Sequence, residues 1–269
     1  MKAPWKRVRA YRALAALSIQ RLLAFRAHFW VSLASRILTL VVLVAFWRAI
    51  GEAGAVTRAE REAALRYLMV AQMVAPLAIS QLIPMFGHAV LDGSIAVELL
   101  RPLDLQEWFY AQSLGTLVAG QLREMVVLGV VGVLWLDLTL PTDPRVYLAF
   151  LVTVLLGHAV LFMVDWGFAM LSFVTTATWG LSSMRHVLTL FFGGALIPPL
   201  FAPRWLQEMS AALPFAEVVA APTAVLLGTA RLGDLPRLWL GQLGWLLGLG
   251  IASRLVYRLA IRRVTVAGG

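Results

Sequence analysis

Apolar residues run through this chain in six blocks, at Trp30–Ile50, Leu65–Phe86, Ser113–Leu136, Val146–Phe173, Val187–Phe201 and Leu238–Tyr257. Short polar or basic intervals separate them. A helix rises about 1.5 Å per residue, so a hydrocarbon core of roughly 30 Å takes about 20 apolar residues to cross. Each block meets or approaches that length. Backbone N–H and C=O groups cannot stay unpaired in lipid, so such blocks must be helices. The pattern predicts an all-α membrane protein with six transmembrane helices, organised as one transmembrane domain over 1–269. No interval is long enough for a separate soluble domain of ordinary size.

The polar intervals differ in character. Residues 1–28 are basic, yet Val8, Tyr11, Ala15, Ile19, Leu22 and Phe25 fall on one helical stripe. Pro4 suits a first helical turn. With Trp5 and the arginines, this segment reads as an N-terminal interfacial helix on the inner leaflet. The alternative is a basic tail that merely extends the first span. It lacks the layout of a signal peptide. Gly51–Glu62 reads as a short external loop, and residues 88–108 follow the second span on the opposite, cytoplasmic side.

Composition sharpens the picture. The chain is 61% hydrophobic and only 14% charged, with a mean hydropathy of +0.82, whereas soluble domains are about 45–50% apolar. The net charge of +9 gathers at the ends: Lys2, Lys6, Arg7, Arg9, Arg12, Arg21 and Arg26, then Arg254, Arg258, Arg262 and Arg263. Basic residues flanking spans mark the cytoplasmic side, and an even span count returns both termini there. External Arg48, Arg58, Arg61 and Arg66 make this a bias only. The expected location is a bacterial cytoplasmic (inner) membrane, crossed several times. The charge serves membrane lipid and topology, with no nucleic-acid partner. With no cysteine, disulfides, thiolate metal sites and cysteine nucleophiles are excluded. The four histidines are scattered, so no metal site is expected.

Candidate chemistry lies where the apolar runs are interrupted. In the cytoplasmic interval, Asp92-Gly93 signals a turn and Ser94 can cap a short helix with Glu98 near its first turn. Ile95, Leu99 and Leu100 make that helix apolar on one side, and Pro102 stops it after Arg101. Such a helix is shaped to dock in a groove of a soluble partner, or else packs on the base of the bundle. Within the spans, Arg123, Glu124, His158 and Asp165 are functional suspects by default. Met125–Leu136 alone spans only about 18 Å, so the third span must extend back through Arg123 and Glu124 unless it is a half-helix. Arg123 either pairs with Asp165 or snorkels to the inner interface. His158 reads as a hydrogen-bonded packing residue. The fifth block is short and ends in Pro198-Pro199; it can be extended back to about Ser182, with Arg185 at the inner interface. Residues 202–228, with Pro203, Pro214, Phe215 and Pro222, are too apolar for a free loop and too short for two spans. They read as an external re-entrant helical hairpin, or a surface hairpin in the plainer alternative.

Two of these segments carry a resemblance. Asp92-Gly93-Ser94-Ile95 followed by Glu98-Leu99-Leu100-Arg101-Pro102-Leu103 resembles the first cytoplasmic loop of ABC-2 type transporter permeases, in particular the short six-span bacterial kind. The run Gly193–Phe201, then Pro203-Arg204-Trp205-Leu206, Leu213-Pro214-Phe215, Pro222 and Leu227-Gly228 is similar to that family's fifth span and re-entrant region. Pro199 departs from the single proline of many members. The resemblance implies a permease subunit of an ATP-binding-cassette exporter, working as a homodimer or with a related permease. It implies that separate ATPase subunits, which hold ATP and Mg, dock on a coupling helix within Asp92–Leu103. It implies a second cytoplasmic contact at Thr175–Arg185 and an interface role for the N-terminal helix.

The residues themselves agree that any ATPase lies elsewhere. A P-loop needs a lysine in a glycine-rich turn, and the only lysines are Lys2 and Lys6. No nucleotide site or catalytic constellation is expected in this chain. The rival class is an ion-coupled secondary transporter, which would show inverted repeats and broken helices with midplane ligands.

Overall fold

The computed structural model describes residues 26–100, 104–135 and 138–261. The predicted interfacial helix at 1–28, apart from its last residues, and Arg101 and Pro102 lie outside the described residues. Among the described residues every regular element is helical. The α-helices are α1 (Arg26–Glu52), α2 (Arg58–Val74), α3 (Leu82–Leu91), α4 (Ile95–Leu99), α5 (Leu105–Thr116), α6 (Leu122–Trp135), α7 (Pro144–Met170), α8 (Thr178–Phe192), α9 (Arg204–Ala211), α10 (Ala220–Leu226) and α11 (Leu235–Ile261).

Four helical runs are long and apolar enough to cross a membrane: Phe29–Glu52, Arg58–Leu91, Leu105–Leu134 and Pro144–Phe173. A fifth is reached if Arg204–Ala211 and Pro214–Leu226, bent by 75°, count as one broken span. This is fewer than the six blocks of the sequence. Of the two remaining blocks, α8 has 15 residues, about 22 Å of helix. Helix α11 has 27 residues, but Arg237, Gln242 and Arg254 dilute its apolar character.

The elements depart from the blocks for local reasons. The loop after α1 is far shorter than Gly51–Glu62, because Thr57 and Glu60 close a capping box that starts α2 at Arg58. The second span is broken. Helix α2 tightens into a 3-10 turn at Ala75–Ala78, and helix resumes only at Leu82. Pro84 explains the gap: it has no N–H for the Ser80 carbonyl, and its ring would clash there, so helix cannot run through residue 80. The third span runs from Leu105 to Trp135 through a π turn at Leu117–Gln121. It does extend back through Arg123 and Glu124, as its length required. Helix α8 begins at Thr178 and stops at Gly193-Gly194, ahead of Pro198 and Pro199, which instead open a 3-10 turn.

The elements share two ends. Helix α11 lies along α7. Near its start, Trp239 Nε1 donates to Thr153 Oγ1 at 3.0 Å. Near its finish, Gln106 Nε2 donates to Ser253 Oγ at 3.2 Å and Arg254 pairs with Asp104 at 2.7 Å. Two interiors result. The larger joins α2, α6, α7 and α10 around Val70, Val74, Leu128, Val154 and Val225. The smaller, at the end that carries α4, is aromatic: Phe86, Phe109, Phe162 and Trp166 stack edge to face or tilted with centroids 5.5–6.1 Å apart. Helix α1 is peripheral, burying Leu33, Leu40 and Trp47 along one narrow stripe while Trp30, Val31, Leu38, Val42 and Phe46 stay exposed.

Candidate functional site

Residues 92–100, after α3, form a small unit at the aromatic end of the bundle. Gly93 takes φ +77°, a conformation that costs a side-chain-bearing residue roughly 1 kcal/mol or more. Ser94 does not cap α4 with its side chain. Its amide instead donates to Asp92 Oδ1 at 2.9 Å, so Asp92 organises the turn in the manner of an Asx turn. Hydrogen bonds from the Ser94 hydroxyl and amide hold the exposed Asp92 carboxyl below the usual aspartate range. Ile95 of α4 is buried against the aromatic cluster and Leu99 is half-buried beside it, whereas Val97 and Leu100 are 61% and 85% exposed. The inward apolar face is therefore an anchor, and the outward surface is Val97 and Leu100.

The start of α5 is pinned. Asp104 caps α5 by accepting from the Glu107 amide at 3.1 Å and bonds Arg254 at 2.7 Å. Partial burial raises the Asp104 carboxyl, but Arg254 and the Glu107 and Gln106 amides outweigh it and hold the group low. Beside this unit, Gly87 of α3 meets the Thr178 side chain at the start of α8, bringing exposed Val174 and Trp179 to the same end. The turn is confined to residues 174–177. The expected contact at Thr175–Arg185 is thus corrected: Thr178 onward is helix, and Arg185 is buried.

The intramembrane charges sort differently from the sequence expectation. Asp165 pairs with Arg185, not with Arg123: Arg185 Nε lies 2.7 Å from Asp165 Oδ1, and both side chains are 1% exposed. Arg185 also donates from Nη1 to the Ala78 carbonyl at 2.6 Å. Gln121 donates from Nε2 to the Ile79 carbonyl. Two of the carbonyls freed where the second span breaks are thus taken by side chains from α8 and the π turn, which suits irregular backbone at membrane depth. Arg123 stacks over the Phe29 ring at 3.9 Å, a cation–π contact. His158 is buried and shares a 3.0 Å hydrogen bond with Ser113, which fits its packing role.

The segment 193–228 is held by glutamines. Gln72 of α2 donates to the Ala195 carbonyl at 2.8 Å, and Gln242 of α11 donates to the Glu217 and Thr153 carbonyls at 3.1 Å each. Pro203 precedes α9, Pro214 and Phe215 form a buried 3-10 turn, and Pro222 lies in the first turn of α10. That turn presses on α7: a Cβ on Gly157 would sit 2.6 Å from the Glu217 carbonyl. Arg185, expected at the inner interface, is instead buried beside Asp165, and Gln72, Gln121 and Gln242 escaped the sequence reading. Single polar residues in apolar runs were their signal, and the break was marked by Pro76 and Pro84.

A family model described as ABC-2 family transporter protein matches residues 23–268. The chain belongs to that family. No curated protein and no solved structure matches it. The ABC-2 assignment covers both the unit at Asp92–Leu100 and the glutamine-held segment at 193–228.

Proposed function

We propose that this ABC-2 protein is the permease subunit of an ATP-binding-cassette exporter, crossing a bacterial inner membrane six times with both termini cytoplasmic. The fifth and sixth crossings are α8 with the segment after it, and α11. In support, α11 runs about 40 Å beside α7 and joins both ends of the bundle through Trp239 and Arg254. Residues 202–228 form the external re-entrant region. ATP and Mg are held by separate ATPase subunits, this chain has no nucleotide site, and a second permease, identical or related, completes the pathway.

The observation that carries the reading is α4 itself. A five-residue helix would not persist alone, yet here Ile95 and a pinned Asp104 fix it while Val97 and Leu100 face outward. It is the coupling helix: closure of the ATPases moves α4, and with it the aromatic cluster at the base of the second, third and fourth spans. Substituting aspartate for Val97 and Leu100 tests this. The double variant should insert and fold normally but lose its ATPase on co-purification from detergent; full retention with wild-type ATPase stimulation would sink the assignment.

The broken second span favours a second reading, an ion-coupled carrier, since such carriers use unwound backbone as ligands. Here the Ala78 and Ile79 carbonyls are already engaged by Arg185 and Gln121, which counts against their use as ion ligands. Transport by proteoliposomes lacking any ATPase would reverse the preference.

A further inference from the structure

A cavity of about 100 Å³ lies between α1, the break at Ile79–Gln81 and the π turn of the third span. Water takes about 30 Å³ in the liquid, so the space suits roughly three waters or a group of a few heavy atoms. Gln121, Arg123 and Glu124 line it. Glu124 is 8% exposed and Gln121 9% exposed. Among the described residues, Glu124 Oε2, Gln121 Oε1 and Arg123 Nε have no hydrogen-bond partner.

These groups define a ligand. Gln121 spends one of its two amide N–H groups on Ile79, and its oxygen is left without a partner. Glu124 adds a second acceptor with a negative charge. Arg123 and Glu124 are adjacent on a helix and point about 100° apart, so they do not neutralise each other directly. Arg36 of α1 also lies within Coulombic reach of Glu124. A simple cation would meet the Arg123 guanidinium, with the Arg36 charge near Glu124, and a simple anion would meet a carboxylate. A group carrying N–H donors beside an anionic oxygen satisfies both.

We infer that this cavity binds a small zwitterionic group, a primary ammonium held by Glu124 and Gln121 with its anionic oxygen held by Arg123. The ammonium needs N–H bonds to use both acceptors, which disfavours a quaternary one. The group could come from a phosphoethanolamine lipid head or from a free zwitterion of the same chemistry. The site does not depend on how the ATPase docks.

The test is equilibrium binding to the purified full chain in detergent, with dihexanoyl phosphatidylethanolamine, phosphatidylcholine and phosphatidylglycerol as probes. Saturable phosphatidylethanolamine binding, at least tenfold tighter than to either other lipid, is expected. Glu124→Gln should weaken it at least tenfold, and Arg123→Gln should erase the preference over hexylamine. Glycerophosphoethanolamine separates the sources: equal affinity assigns a free zwitterion, and loss of binding assigns the lipid. Equal binding of all three lipids, no binding of any probe, or an unchanged preference in a folded Glu124→Gln variant overturns the inference. The wild-type selectivity decides even if a variant misfolds. Because ATPase retention is read separately, failure here leaves the coupling assignment intact.

Discussion

The Asp165–Arg185 pair allows a thermodynamic cycle whose terms differ enough to be told apart. Asp165→Asn leaves Arg185 buried and without its counter-ion, and breaking one side of such a pair costs about 3–5 kcal/mol. Arg185→Met strands the Asp165 carboxylate at a similar cost. It also strands the Ala78 carbonyl, which Arg185 Nη1 reaches at 2.6 Å, adding about 1–3 kcal/mol. Arg185→Met should therefore be the worse single variant. In Asp165→Asn/Arg185→Met no buried charge is left; the carbonyl term of about 1–3 kcal/mol remains, and the new amide keeps Ser80 as a hydrogen-bond partner. The double variant should thus be more stable than either single one, a coupling of several kcal/mol against the few tenths expected of independent sites. Unfolding in mixed dodecylmaltoside–SDS micelles, followed by tryptophan fluorescence, measures all four species. Single-variant costs below about 1 kcal/mol, or a double-variant cost equal to their sum, would refute the reading of this pair as a closed, buried ion pair.

Other contacts give sharper single tests. Gly157→Ala should destabilise by about 1–3 kcal/mol, because its Cβ would lie 2.6 Å from the Glu217 backbone carbonyl and neither backbone yields easily; an unchanged unfolding midpoint would contradict that approach. Asp104→Asn should cost only about 0.2–1 kcal/mol, since its pair with Arg254 is partly solvated. Asp104→Ala should cost a further 0.5–2 kcal/mol or so with the lost α5 cap. The Asp104 carboxyl is depressed in the folded state, so its contribution is full above the ordinary aspartate value of about 3.9 and fades as pH falls through the lower folded value. Acid unfolding of Asp104→Asn should accordingly be less steep than wild type.

Much of this was legible in the sequence, for physical reasons that can be named. Apolar blocks of spanning length have only one way to satisfy their backbone in lipid, so the all-helical character followed from hydropathy alone. The turn at Asp92-Gly93 and the stop before α5 were readable because glycine and proline restrict the backbone directly. Partner choice among buried charges was not readable. Asp165 could meet Arg123 or Arg185, and only the depth and rotation of α8 decide it for Arg185. Ser94 looked like a cap, but its hydroxyl and its own amide both donate to the Asp92 carboxylate. The break in the second span hid inside an apolar run, because hydropathy averages over Pro84 and is blind to the carbonyl that proline leaves without a donor. The glutamines that hold residues 193–228 were similarly hidden, since one polar residue hardly lowers the mean of a long block.

The central claim is that α4 is the surface on which an ATPase docks, and the absence of cysteine from this chain makes it directly testable. A single cysteine replaces Leu100 in one variant and, in another, the exposed Ala55 on the opposite end of the bundle. Each carries a short photo-activatable cross-linker in membranes that contain the cognate ATPase. Cross-linking to the ATPase from position 100 and none from position 55, with a yield that changes on adding ATP and vanadate, is the predicted result. An ATPase adduct from position 55, or none from position 100 in a complex that still hydrolyses ATP, would contradict it.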